Sequence, residues 1–103
     1  MEVFLLAEVK IFLQTLEEQT FAKVLHVIDL LEEFGADLRM PHSKPLGKGL
    51  YELRVRGFQE VRLLYAFRTN TAVIVHALCK KSMRIPQREL AYAYKVLHRI
   101  DDV

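Results

Sequence analysis

The chain has 103 residues, 51% of them hydrophobic, with 15 Lys/Arg against 13 Asp/Glu for a formal charge of +2. That length suits a single domain, residues 1–103, around one core, and no apolar run reaches the ~18 residues of a membrane span. The single cysteine, Cys79, excludes an internal disulfide and points to the cytoplasm, and without a cysteine cluster the four scattered histidines suggest no metal site and no cofactor.

The average charge hides a division. Residues 1–38 carry 2 Lys/Arg against 8 acids, net −6; Arg39–Arg99 carry 13 against 3, net +10; Asp101 and Asp102 supply the remaining −2. A surface built from the basic stretch would attract a polyanion, of which nucleic acid is the commonest. The plainer alternative is a set of ordinary solvated charges with acids folded in beside them.

The opening MEVFLLAEVKIFLQTLEEQ has no basic start and no small-residue cleavage site, so no secretory signal is expected. A short strand at Glu2–Leu6 is left open. Glu8–Glu18 reads as a helix, with Val9, Phe12, Leu13 and Leu16 at i, i+3, i+4 and i+7. A second helix starts near Thr20, a suitable N-cap, and lines up Phe21, Val24, Leu25, Ile28, Leu31 and Phe34 before Gly35 stops it. The short connection predicts an antiparallel hairpin. Residues 36–49, with two prolines and two glycines, read as a loop carrying Arg39, His42, Lys44 and Lys48.

Three strands follow: Leu50–Arg56, Val61–Arg68 and the almost wholly apolar Ala72–Cys79, joined by turns at Gly57 and Thr69–Thr71. Lys80, Lys81, Ser82, Met83 and Arg84 lead to a last helix opened by Pro86. Leu90, Ala93, Tyr94, Leu97 and Ile100 form its apolar stripe, with Arg88, Tyr92, Lys95 and Arg99 opposite. The order α-α-β-β-β-α predicts an α+β domain: an N-terminal helical hairpin and a C-terminal helix on one face of a small antiparallel meander.

Arg54 and Arg62 interrupt sequences that otherwise suit a sheet. An odd connecting loop places them directly opposite on one face, and an even loop separates them. Like charges across a strand pair destabilise it, so a face bearing Arg54, Arg56 and Arg62 suits a phosphate cradle, since guanidinium binds phosphate bidentately and stays protonated. Neutralisation by Glu52 and Glu60 on a wet face is the competing reading. Arg62 is expected on an open face, where truncation would cost little stability. Alternation sends one of Lys80 and Lys81 to the arginines' face, with Lys80 favoured by its parity with His76 and Leu78. His76, inside the apolar strand, reads as a core histidine.

The segments KPLGKGLYELRVRGFQEVRLLYAF and VIVHALCKKSMRIPQREL resemble the RelE/ParE superfamily of bacterial toxins, and most of all its HigB-like, phage-derived branch. The carriers are Gly49–Arg54, Arg62–Phe67, His76–Lys81 and Pro86–Glu89. The resemblance implies a RelE-like fold and the toxin of a type II toxin–antitoxin system. Its activity would be metal-independent mRNA cleavage, typically on the ribosome, held in check by an antitoxin that is often a helix-turn-helix protein. It places Arg54, Arg62, Lys80 and Lys81 at the family's basic active-site positions, with Tyr92 a looser match. RNA supplies its own nucleophile, the 2′-OH, so the site needs a base, cations for the phosphorane and an acid for the leaving oxygen. Lys44, Lys48, Arg56, Arg84, Arg88, Lys95 and Arg99 are expected to contact RNA. The alternatives are a non-catalytic ParE-like toxin that binds DNA gyrase and an inactive phage-derived relic that only binds a partner.

Overall fold

The apolar segments condense onto a five-stranded sheet covered on both faces, seen in a computed structural model that describes residues 1–81 and 83–102. Ser82, in the expected lead-in to the last helix, and Val103 lie outside the described residues. The elements are β1 (Glu2–Leu5), α1 (Ala7–Leu13), α2 (Glu18–Phe34), a 3-10 turn (Gly35–Asp37), β2 (Ser43–Gly47), β3 (Leu50–Val55), β4 (Val61–Arg68), β5 (Thr71–Cys79) and α3 (Gln87–Asp101). The sheet order is β1-β5-β4-β3-β2, with β1 parallel to β5 and the other pairs antiparallel. The α+β class expected from the sequence therefore holds, with a mixed sheet in place of a purely antiparallel one.

Alternation within the strands supplies two cores, not one. Leu53, Val55, Val61, Leu63, Tyr65, Ala72 and Ile74 meet Val9 and Leu13 of α1 and Val24, Val27, Ile28 and Leu31 of α2. Leu50, Leu64, Ala66, Val73, Val75 and Leu78 meet Ala93, Val96 and Leu97 of α3. The helices thus do not share one face, because β4 and β5 are apolar on both sides and each side must be covered.

The helix boundaries also move. α1 ends at Leu13, and Thr15 Oγ1 donates to the Phe12 carbonyl at 2.6 Å as the chain turns away. Glu17, not Thr20, caps α2: its carboxylate accepts from Thr20 N–H at 2.8 Å and from Thr20 Oγ1 at 2.7 Å, so Thr20 lies buried inside the first turn. Leu25 and Phe34 stay exposed, and Thr20 and Val27 take their places on the buried side. Within the expected loop, 43–47 pairs with β3 as an edge strand, and Pro45 sits on it, as edge position allows. Gly47, Lys48 and Gly49 all have positive φ at its turn, which only the two glycines adopt without strain.

The β3–β4 connection runs 56–60, an odd count, and pairs Arg54 with Arg62 and Leu53 with Leu63. On β5 the partner of Arg62 is Leu78, and the Lys80 N–H donates to the Glu60 carbonyl, so pairing runs on past the strand end. Glu52, Arg54, Arg62 and Lys80 consequently share the α3 side of the sheet, beyond the first residues of α3.

Candidate functional site

β3, β4 and β5 bring their polar residues to one end of the α3 face, where the helix no longer covers them. Two adjoining hollows open there. One, of about 330 Å³, lies between Lys44 and Leu46 of β2, Glu52 and Arg54 of β3, Lys80, and Met83, Arg84, Ile85, Gln87 and Leu90 at the start of α3 and just before it. The other, of about 360 Å³, is bordered by Arg54, Arg56, Glu60, Arg62, Lys80 and Lys81. Arg54, Lys80 and Met83 belong to both.

The two facing arginines differ sharply. The Arg62 side chain is 2% exposed and bonded at each guanidinium nitrogen: Nε donates to Glu52 Oε1 at 2.9 Å, Nη1 to the Val61 carbonyl at 3.0 Å and Nη2 to Glu60 Oε1 at 3.3 Å. This corrects the expectation of an open Arg62. Opposite like charges needed a carboxylate on the same face, and Glu52, two residues from Arg54 and equally buried, supplies it. Arg54, 14% exposed, has little left. Its Nε stands 3.8 Å from Glu52 Oε2 and, among the described residues, is buried without a hydrogen-bond acceptor, while Nη1 donates to the Met40 sulfur at 3.5 Å.

Lys80 occupies the side of the arginines, in keeping with its parity. Burial, then the adjacent Arg62 and Arg54, outweigh Glu52 and Glu60 and hold its ammonium below the ordinary lysine range. Glu60 ends below the usual carboxylate range: burial lifts it, but the Gly57 N–H and Arg62 lower it further. Lys81 is exposed and borders only the second hollow. Lys44 and Arg84 line the first and Arg56 the second.

Other expected site residues fall elsewhere. Tyr92 is not part of this cluster: its phenol donates to Glu8 Oε2 of α1 at 2.6 Å, and its ring lies 4.9 Å from that of His76. That bond, with burial, raises the phenol above its ordinary range. Tyr92 therefore turns toward the sheet and α1 instead of joining Arg88, Lys95 and Arg99, which are exposed along α3 and border neither hollow. Lys48, at the β2–β3 turn, borders neither as well. Glu52 is the participant that the sequence underrated; its parity with Arg54 was the available signal.

A model of the family described as phage-derived protein Gp49-like (DUF891) matches residues 11–98. The chain belongs to this family. The family is of RelE-like toxin type, and the match spans α2, the sheet from β2 to β5, both cationic hollows and nearly all of α3. No curated protein matches the chain.

Proposed function

We propose that this Gp49-family protein is a HigB-like toxin that cleaves mRNA, on the ribosome, by internal attack of a ribose 2′-OH. One observation carries the reading: Arg54, a nearly buried guanidinium whose Nε has no acceptor among the described residues, borders both hollows beside a lysine of lowered proton affinity. Buried donors are almost always satisfied, so a cation left short of acceptors in an open hollow suits an anionic ligand. A phosphodiester brings the oxygens that Arg54 lacks.

In this reading neutral Lys80 takes the 2′-OH proton as the oxygen attacks phosphorus. Arg54 stabilises the charge that gathers on the non-bridging oxygens, where a preorganised donor contributes most. The P–O5′ bond breaks, the 5′-oxygen takes a proton from the Lys81 ammonium, and the products are a 2′,3′-cyclic phosphate and a 5′-hydroxyl. Arg62, with each guanidinium nitrogen already bonded inside the fold, holds Glu52 and lowers the proton affinity of Lys80. Lys44, Arg56 and Arg84 would guide the strand. The exposed Arg88, Lys95 and Arg99 would meet ribosomal RNA or an acidic segment of an antitoxin.

The test is purified protein with mRNA, with and without ribosomes, and with a single 2′-deoxy substitution at the cut position. Cleavage that leaves a cyclic phosphate and stops at the deoxy site is expected. Folded protein that neither cuts mRNA in either setting nor arrests growth on expression sinks the proposal.

A further inference from the structure

Arg54 and Arg56 also border a third hollow, of about 230 Å³, on the α2 side of the sheet. Part of its wall is apolar: Val27 of α2, Pro41 before β2, and Val55 at the end of β3. Two imidazoles join that wall, the exposed His26 of α2 and the half-buried His42. Lys23 of α2 completes it. This lysine, one of two Lys/Arg in residues 1–38, approaches the β3–β4 turn so closely that a Cβ on Gly57 would stand 2.8 Å from Nζ. The main-chain N–H of Arg54 donates to the His42 carbonyl at 2.7 Å, which ties the hollow's edge to the strand that bears the cationic site.

A phosphate alone would gain nothing from Val27, Pro41 and Val55. A nucleobase matches the whole set: its faces take apolar and ring surface, its edge takes hydrogen bonds from imidazole, and nearby cations serve its attached phosphate. Arg54 borders all three spaces, so the hollow lies on the opposite side of the β3 end from the cationic cluster, one residue's width away.

We propose that this hollow is a nucleobase pocket. It receives a base of the RNA strand next to the phosphate held at Arg54, with the ring against His26, His42 and the apolar wall, and the base's own phosphate on Lys23 and Arg56. The RNA as physiological ligand rests on the function proposed above; nucleotide binding in the pocket does not, and can be measured without cleavage.

The experiment follows the His26 and His42 ring signals by NMR in the intact protein, with each of the four nucleoside 5′-monophosphates, ribose 5-phosphate and inorganic phosphate as probes. At least one mononucleotide should shift both rings in a saturable way, and neither base-free phosphate should do so. The His26→Ala, His42→Ala double variant should weaken that mononucleotide about tenfold, the scale of one lost stacked base. His26 is exposed and His42 lies in a loop; a far-UV spectrum and melting curve matching the parent check that the variant is folded, and the single variant His26→Ala serves if it is not. Equal shifts from ribose 5-phosphate, or no ring shifts from any mononucleotide, overturn the pocket. Protein that binds mononucleotides there yet never cuts RNA keeps the pocket and removes the ribonuclease; protein that cuts RNA without ring shifts does the reverse.

Discussion

One face of the sheet carries two polar regions, and the fold completes only one of them. Under α3, His76 bonds Glu89 at 3.1 Å and packs on Tyr92, whose hydroxyl is bound by Glu8; farther along, Arg68 grips Asp101 through two 2.8 Å bonds. Beyond the start of α3, each nitrogen of Arg62 is bonded but, among the described residues, Arg54 Nε is not, and the surrounding lysines and arginines outnumber Glu52 and Glu60. Both regions interrupt apolar strands with charge. What separates scaffold from site is whether the chain itself supplies the acceptors.

The largest expected effect tests the completed half of that contrast. Arg62→Ala should destabilise the fold by about 3–5 kcal/mol, because Glu52 would keep a buried charge without its partner. Adding Glu52→Gln should return part of the loss in denaturant melts. A full-stability Arg62→Ala protein would place Arg62 with Arg54 as an open cation.

Arg54→Ala is the converse. It should lower single-turnover cleavage by about 10²–10³, the scale of removing one transition-state donor, with a smaller drop in melting temperature than Arg62→Ala. A fall in stability matching that of Arg62→Ala, with cleavage intact, would erase the distinction between the two arginines.

Lys80 and Lys81 sharpen it further. A general base contributes about 10²–10⁴ in rate, so Lys80→Ala should lose at least tenfold more activity than Lys81→Ala. The neutral amine is the working form, so cleavage should rise with pH and level off below the ordinary lysine range, because the Lys80 ammonium is held low. Lys80→Arg should abolish that rise. Equal, mild losses from both alanine variants would describe a diffuse patch.

Smaller effects belong to α3. Lys95→Glu with Arg99→Glu should flatten the salt dependence of RNA or ribosome binding by about 0.7 for each phosphate that the protein no longer neutralises. If only antitoxin binding weakens, that helix face is regulatory. Tyr92→Phe should cost no more than about 1 kcal/mol through removal of the bond to Glu8, and leave cleavage unchanged. A catalytic loss there would return Tyr92 to the site from which its bonding removes it.

Much of this was legible in the chain. The period-3.6 stripe of 90–100 and the alternation of 50–55 required an amphipathic helix and a half-buried strand wherever they packed. Strand parity favoured Lys80 over Lys81 for the arginines' side; the parity of the β3–β4 loop stayed open in the chain, and only the strand pairing set Arg54 against Arg62. The β2 edge strand stayed hidden because Lys44, Pro45 and Gly47 follow no apolar alternation; the main chain of β3, not their side chains, makes them a strand.

The sequence by itself determined the α+β class, the basic stretch of the chain and the RelE-like toxin type, since these follow from periodicity, charge order and local motifs. Only the tertiary structure decided which charges remain available. Glu52 and Glu60 were both visible as neighbours of two arginines, yet their carboxylates converge on Arg62 and leave Arg54 Nε without an acceptor among the described residues. Tyr92 likewise sits at a helix position compatible with either flank, and Glu8, 84 residues away, turns it from the basic stripe. Such pairings depend on distances between strands and helices remote in sequence, where a shift of an ångström moves a side chain from bonded to free.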